Sequence, residues 1–353
     1  MSGGGVHLDN GTLIDTLFTQ NQSTTDAGGA AGDGHAEGCT FAENKALSGL
    51  GGGWYIEDYT TVVNCTFSMK TGSEGAGLYL SPPGLFSSPE LHLESVTIAY
   101  NNGPGMGTVG EVSQRVPLSI LRVLISNNDH SEDIALSLAN LRSHSRNLIG
   151  KVSADYESDL LGSDQWGSDS DPLEPWLAPL TDQGGFTPTH ALYAGSLAKD
   201  TGGVSALTTD QRGIARPAGA ATDIGAYESG ETLYLPYETW AERTIGDPAI
   251  AGIIQDADDD GIVNAIEFLT GTLPEDGVST PEFRAGQEAD DSAFFEVNLA
   301  GYLDPATVLV KWSDDMSDWK TSALTQSIVD HVLKVTYSRS EPINRLFWRM
   351  EYQ

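Results

Sequence analysis

The chain has 353 residues, of which 50 are Asp or Glu and 18 are Lys or Arg, so its formal net charge at pH 7 is -32. This charge excludes nucleic acids and anionic membranes as partners, because a phosphate-binding surface must be positive. The 39% hydrophobic content is enough for a packed core, and no apolar run is long enough for a membrane-spanning helix. The residues after Met1 do not resemble a signal peptide, and we expect that an upstream part of the protein precedes them.

A period of 24 residues runs through the first part of the chain, between Gly5, Gly29, Gly53 and Gly77. A second marker recurs at a similar spacing, an apolar residue followed three positions later by a polar one. Its occurrences are Phe18/Asn21, Phe41/Asn44, Phe67/Lys70, Ile98/Asn101 and Ile125/Asn128. Two markers with a shared period predict a coil of short strands stacked on itself. We expect positive φ angles at the glycines and a ladder of amides at the asparagines.

Side chains alternate across a strand, so the repeat also predicts which residues point inward. Two rows are small or bulky and apolar in nearly every coil, and we assign both to the interior. The rows are Thr16, Cys39, Cys65, Val96 and Val123, and Phe18, Phe41, Phe67, Ile98 and Ile125. Cys39 and Cys65 therefore lie one coil apart in the same row, as two reduced core thiols or as a disulfide.

The glycine pairs and the Phe-x-x-Asn marker resemble the repeats of polymorphic outer membrane proteins, over residues 3–128. That resemblance implies an all-β fold, a right-handed parallel β-helix of the pectin lyase-like type. We assign residues 1–146 to this β-helix and expect it to be N-terminally incomplete.

A different signature fills residues 147–229. It contains GGFTPTHAL at 184–192, TDQRG at 209–213 and DIGAYE at 223–228. This stretch resembles the choice-of-anchor Q domain of bacterial secreted proteins, which implies a place behind a β-helix and no assigned catalysis. We expect it to cap the last coil, with an ion-pair network of Asp210, Arg212, Arg216, Asp223 and Glu228. We interpret the lone His190 as a structural, hydrogen-bonded residue.

Residues 256–267 fit a twelve-residue calcium loop. The predicted Ca²⁺ ligands are Asp256, Asp258, Asp260, the backbone carbonyl of Ile262, Asn264 and Glu267. Gly261 occupies the sixth position, where the loop turns sharply, and Val263 is the apolar anchor at the eighth. Calcium prefers six to eight oxygen ligands, which this set provides.

The loop and its flanks resemble the dockerin-like loops of secreted bacterial proteins. Tyr237, Trp240 and Ala241 precede the loop, and Glu267-Phe268 with Gly271 follows it. A dockerin has two loops and the linker at 230–280 has one, which does not favour cohesin binding. A single loop of the extracellular type binds calcium with a dissociation constant on the order of 10⁻⁴–10⁻³ M. We therefore expect the protein to be exported, to the extracellular medium or the outer cell surface.

Residues 281–353 show apolar and polar residues in alternation, which predicts a small antiparallel β-sandwich. The four predicted strands are Phe294–Leu299, Thr307–Trp312, His331–Tyr337 and Leu346–Glu351. We interpret this domain as a possible anchoring or export module.

Together these features favour a non-catalytic, monomeric adhesin-like protein, stabilised by calcium and in contact with a polysaccharide or a host or cell-surface glycan. Tyr55 and Tyr79 follow two of the periodic glycines by two residues, so we expect them to form an outward aromatic strip against sugar rings. The alternative function is a polysaccharide lyase or glycoside hydrolase. Its catalytic residues would lie upstream or be unrecognised, because residues 1–146 contain six Lys or Arg and no Asp-Asp pair.

Overall fold

A computed structural model describes residues 4–72, 75–82, 89–108, 116–136, 139–288, 292–338 and 346–352. The chain forms two compact units. Unit 1 comprises Met1–Leu192 and Ser196–Thr232, and unit 2 comprises Tyr193–Gly195 and Leu233–Gln353. The predicted β-helix and the module behind it therefore belong to one unit, while the calcium loop and the C-terminal strands belong to the other.

Unit 1 contains a parallel β-solenoid of about five turns, which confirms the predicted fold class. Its strands are β1 (Val6–Ile14), β2 (Leu17–Thr19), β3 (Gln22–Ser23), β4 (Ala30–Glu37), β5 (Thr40–Ala42), β6 (Lys45–Ala46), β7 (Trp54–Val63), β8 (Thr66–Ser68), β9 (Leu78–Leu80), β10 (Leu91–Glu94), β11 (Thr97–Ala99), β12 (Met106–Thr108), β13 (Val116–Leu121), β14 (Leu124–Ser126), β15 (Ile134–Leu136), β16 (Ala139–Ser143), β17 (Leu148–Ile149) and β18 (Gln165–Trp166).

The strand pairing divides the solenoid wall into three faces. The first half of β7 pairs with β9 and its second half pairs with β10, so the long strands span two faces. We call the run of 6–8, 30–32, 54–56, 78–80 and 106–108 face 1, and the run of 11–14, 34–37, 60–63, 91–94 and 118–121 face 2. Face 3 is the separate seven-stranded sheet, in the order β18-β17-β14-β11-β8-β5-β2.

The interior contains the apolar rows that the repeat predicts. The ring of Phe41 stacks between those of Phe18 and Phe67, with centroid distances of 4.8 and 4.7 Å. Cys39 and Cys65 are fully buried free thiols, and the Cys39 N–H donates to Cys65 Sγ at 3.3 Å. Because such rows repeat at every coil, each side chain packs against its counterparts above and below.

The periodic glycines have a different role from the one that we expected. None of Gly5, Gly29, Gly53 and Gly77 has a positive φ. A Cβ on Gly53 would instead lie 2.2 Å from the carbonyl oxygen of Gly77 in the next coil, so the coils approach too closely for any side chain. Left-handed residues mark another corner of each coil, and they are Asp15, Gly38, Asn64, Ser95 and Arg122.

The module behind the β-helix only partly acts as the predicted end cap. Val152, Tyr156 and Leu160 do pack against the last interior side chains. The signature residues, however, lie along face 3. Gln211 contacts β5 and β8 there, and the Ala226 N–H donates to Thr97 Oγ1 on β11. The module therefore covers a flank as well as an end, because face 3 presents threonines that can be paired.

The described residues of unit 2 form two α-helices and six strands. They are α1 (Tyr237–Thr244), α2 (Asn264–Thr270), β19 (Phe283–Gln287), β20 (Ala293–Asn298), β21 (Val308–Ser313), β22 (Leu324–Val329), β23 (Val332–Tyr337) and β24 (Phe347–Tyr352). The strands form an antiparallel sheet in the order β19-β20-β23-β22 and a β21-β24 ribbon. Trp312 of the ribbon contacts Tyr337 of the sheet, with ring centroids 4.4 Å apart. No helix of the described residues is long and apolar enough to span a membrane.

Candidate calcium site

Three carboxylates meet in the loop before α2. Oxygens of Asp256, Asp258 and Asp260 lie within 4.8 Å of one another. Backbone N–H groups hold part of each carboxylate, since Gly261 N donates to Asp256 Oδ2 at 2.8 Å and Ile262 N donates to Asp260 Oδ1 at 2.7 Å. Asp258 Oδ2 and Asp260 Oδ2 are buried and have no hydrogen-bond partner among the described residues. The loop thus presents carboxylate oxygens to a common centre.

The sharp turn of the loop lies where the pattern predicts it. Gly261 has φ +95°, a value that L side chains rarely adopt. Directly after the turn, the N–H of Ile262 is fixed by Asp260, and helix α2 begins two residues later. The turn therefore brings the first residues of α2 back beneath the three aspartates.

Glu267 is the most informative residue of the loop. It is fully buried on helix α2, and neither Oε1 nor Oε2 has a hydrogen-bond partner among the described residues. Burial, reinforced by Asp258, Asp260 and Asp256, raises the pKa of this carboxyl to about 7. Burying a carboxylate that has no hydrogen-bond donors lowers the stability of the fold unless a cation balances its charge. Two free oxygens on one residue match the bidentate ligand at position twelve of such loops.

Asn264, the predicted ligand at position nine, directly or through water, makes several hydrogen bonds within the loop region. Its Oδ1 accepts from Ala257 N at 3.2 Å, and its Nδ2 donates to the carbonyl oxygens of Ile250 and Gly252 at 2.8 and 3.0 Å. The fully buried amide therefore ties the start of the loop to the segment before it. Its contribution in this structure is to shape the loop around the aspartates.

An aromatic cluster fixes the helix that carries Glu267. The ring of Phe268, the next residue, is fully buried and contacts those of Tyr237 and Trp240 of α1, at 5.4 Å in both cases. Tyr302 and Tyr352 pack on other sides of the same ring, at 5.5 and 5.3 Å. Tyr237 and Trp240, the Tyr-x-x-Trp pair that precedes the loop, thus pack against α2. This contact fixes the position of Glu267 on the helix.

The outward aromatic strip predicted at Tyr55 and Tyr79 is wrong. The two residues are paired across adjacent strands and their rings do stack, with centroids 5.1 Å apart. Both are buried, however, with exposed fractions of 7% and 1%, in a cluster with Ala27, Ala31 and the partly buried Leu50. A sugar ring cannot reach faces that neighbouring side chains already cover.

The predicted ion-pair network is present in part in the module of unit 1. Arg216 contacts Glu228 at 2.9 Å and Arg212 contacts Asp210 at 2.7 Å. The Asp223 carboxylate instead accepts from the backbone N–H groups of Asp200 and Ser229, and Asp223 contacts the first pair through its backbone N and O. His190 is buried between the Ala178 carbonyl and Ser68 Oγ, at 2.7 and 2.8 Å, as expected for a structural histidine.

Comparison with known proteins finds no matching family model, no matching curated protein and no matching solved structure.

Proposed function

We propose that the chain is a calcium-binding, non-catalytic β-helix protein that works outside the cell, in adhesion or in contact with glycans. The observation that carries the proposal is Glu267, a fully buried carboxylate whose two oxygens have no partner among the described residues and whose pKa the three loop aspartates help to raise. Calcium supplies the positive charge that such a group requires and accepts bidentate carboxylates readily. Bound calcium would be held by Asp256, Asp258, Asp260 and Glu267, with the Ile262 carbonyl.

The chemistry of the donor set supports calcium over other metals. The described ligands are carboxylate and carbonyl oxygens, which suit hard cations and are poor ligands for zinc or copper. Magnesium requires a stricter octahedral geometry and keeps several of its waters, whereas a twelve-residue loop with a bidentate residue is suited to the larger ion. We therefore expect calcium to bind at least tenfold more tightly than magnesium.

The proposed location outside the cell follows from the expected affinity. A single loop of this type binds on the order of 10⁻⁴–10⁻³ M, and such a site fills only where calcium is abundant. The strongly acidic composition agrees with an exposed, well-solvated surface. The resemblances to polymorphic outer membrane protein repeats, to the choice-of-anchor Q domain and to dockerin-like loops belong to this proposal and favour a secreted bacterial protein.

The test is a calcium titration of the purified chain by isothermal calorimetry, with thermal unfolding followed in parallel. We expect one site and a melting temperature that rises with calcium concentration, because a ligand of the native state stabilises it. Glu267→Gln removes the bidentate carboxylate and should weaken binding at least tenfold. Glu238→Gln removes an equal charge from the exposed surface of α1 and should leave the titration unchanged.

Two outcomes would contradict the calcium proposal. One is the absence of heat and of any thermal shift at calcium concentrations well above the expected dissociation constant. The other is equal binding by Glu267→Gln and by the unsubstituted chain. Labelling of intact source cells with an antibody against the chain tests location separately, since an exported protein must be labelled without permeabilisation.

A further inference from the structure

Face 2, with Tyr59 directly before it on β7, presents aromatic and imidazole rings to solvent. On face 1, Tyr55 and Tyr79 are buried, and on face 3 the module of residues 147–229 covers the threonines of β5, β8 and β11. On and beside face 2, by contrast, Tyr59 is 53% exposed, and the imidazoles of His35 and His92 are each more than a third exposed. These side chains form no part of the interior and are free to meet a ligand.

Side chains on and beside face 2 line a groove of about 280 Å³. Its polar and aromatic lining residues are Tyr59, Thr61, His92, Glu94, Ser119 and His144. Thr61, His92 and Ser119 are paired in register on β7, β10 and β13, and His35 and Arg142 extend the same row on β4 and β16. Adjacent strands lie about 4.8 Å apart, so the row forms an elongated site parallel to the solenoid axis.

An aromatic platform lies at the centre of this groove. The ring of Tyr59 contacts that of His92, with centroids 5.4 Å apart. His92 Nε2 donates to Glu90 Oε1 at 2.9 Å, which fixes the imidazole. A ring with one open face and hydroxyl, imidazole and carboxylate groups beside it suits a ligand that has both C–H faces and hydroxyls.

The negative charge on and beside face 2 disfavours those ligands that are themselves anionic. Glu37, Glu90 and Glu94 lie on or beside it, against Arg142 in the row and Arg122, which is already paired with Glu94. Together with the net charge of -32 of the whole chain, this acid excess opposes the approach of sulfated or uronate polymers.

We propose that face 2 binds a neutral polysaccharide, laid along the solenoid axis with a sugar ring stacked on Tyr59 and its edge against the tilted ring of His92. This inference rests on the proposed glycan contact and moves it from the buried Tyr55/Tyr79 pair to an open surface. Hydroxyls of the polysaccharide pair with Thr61 and with the exposed parts of the imidazoles in the row.

The test is electrophoresis in native gels that contain soluble β-glucan, xylan or galactomannan, with polygalacturonate gels for comparison. We expect at least one neutral polymer to retard the chain and polygalacturonate to leave its mobility unchanged. Tyr59→Ala and His92→Ala should each raise the apparent dissociation constant about tenfold. Phe186→Ala, which removes a 79% exposed ring outside the groove, should behave as the unsubstituted chain.

The inference is overturned if none of the neutral polymers retards the chain, if Tyr59→Ala binds as well as the unsubstituted chain, or if only the polyanion binds. Thermal unfolding of each variant checks that the fold is intact, which is expected because both side chains are solvent-exposed. Glu267→Gln separates this proposal from the calcium site, since glycan retardation should persist in that variant. Release of reducing or unsaturated sugar ends would support glycan binding and contradict the non-catalytic function.

Discussion

Asn101 donates two hydrogen bonds to one oxygen of Asn128 in the next coil, from its backbone N at 3.1 Å and from its Nδ2 at 2.8 Å. Asn128 in turn donates the same pair of bonds to Asp133 Oδ1, at 3.1 and 2.8 Å. Asn21 bonds to Asn44 in this way in the first coils. The ladder ends at Asp133. Its last residue accepts hydrogen bonds from the amide before it and has no amide after it to donate to, and an ionised carboxylate suits this position because it has no N–H that would stay unpaired.

Lys70 interrupts this ladder. Its backbone N donates to Asn101 Oδ1, but its side chain has no amide oxygen for Asn44 in the coil before. The fully buried Nζ has no hydrogen-bond partner among the described residues and lies 4.7 Å from the centre of the Phe67 ring. Burial holds the pKa of Lys70 well below its ordinary value.

We predict that Lys70→Asn stabilises unit 1 by about 1–3 kcal/mol at pH 7, because it restores the amide ladder and removes an unpaired buried amine. The unfolded chain protonates Lys70 and the folded chain disfavours the proton, so wild-type stability should rise with pH below the ordinary lysine pKa. The gain from the substitution should therefore shrink as pH rises. Urea unfolding at pH 7 and pH 9.5 measures both effects.

Two further variants separate the possible causes of the effect of Lys70→Asn on stability. Lys70→Met keeps most of the side-chain volume without restoring the ladder, so it isolates the cost of the buried amine. Lys45→Asn changes an exposed lysine of the neighbouring coil and should alter stability by less than about 0.5 kcal/mol. A Lys70→Asn protein less stable than wild type at pH 7 would show that the loss of packing outweighs the ladder.

Gly53 tests the close approach of coils. Gly53→Ala would place a Cβ 2.2 Å from the Gly77 carbonyl oxygen and 2.6 Å from Cε of Lys70. The backbone contact cannot relax without separating two coils, so we expect the free energy of unfolding to fall by about 2–4 kcal/mol. The matched control is Gly230→Ala, where no atom lies within 4 Å of the added carbon and φ is not positive. Equal melting temperatures for the two variants would refute this explanation of the glycine period.

The sequence predicts the coil well because each coil repeats the same local contacts, and the rings of Phe18, Phe41 and Phe67 therefore stack as expected. The calcium loop is also local, since twelve consecutive residues provide its carboxylates. Burial of Tyr55 and Tyr79 was not predictable from the strand register, because it depends on the turns that precede the strands, where Ala27 and Leu50 pack around the rings. Lys70 did carry a signal, since it replaces Asn in the second repeat marker.

The groove on face 2 was missed for a similar reason. Tyr59 and His92 lie in strands of different length, 33 residues apart, and the periodic markers do not include either residue. Their proximity depends on the pairing of β7 with β10 in register, which the glycine spacing alone does not determine. A search for polar residues at positions paired with His35 would have found the row.

Gln211 holds the module against face 3, and its replacement tests that contact. Its Nε2 donates to Thr40 Oγ1 and Thr187 Oγ1, at 2.7 and 2.8 Å, and its Oε1 accepts from Thr66 Oγ1 at 2.6 Å. Gln211→Ala removes these three buried hydrogen bonds, so we expect a loss of about 2–4 kcal/mol in urea unfolding. Gln22→Ala, at an exposed position, should be neutral. A neutral Gln211→Ala would show that shape alone docks the module.

The pair of Arg216 and Glu228 is fully buried at 2.9 Å, and its two members should respond unequally to substitution. Arg216→Met leaves the Glu228 carboxylate with the N–H donors of Ala218 and Asp223 but no counter-ion. Burial raises the pKa of Glu228 even beside Arg216, so we expect a loss of about 3–5 kcal/mol at pH 7. Lower pH should reduce this loss, because protonation removes the unpaired charge.

Arg142→Met, at an exposed position, should change stability by less than about 0.5 kcal/mol. The measurement is urea unfolding at pH 7 and pH 5, and a loss that does not depend on pH would attribute the effect to packing of the arginine instead.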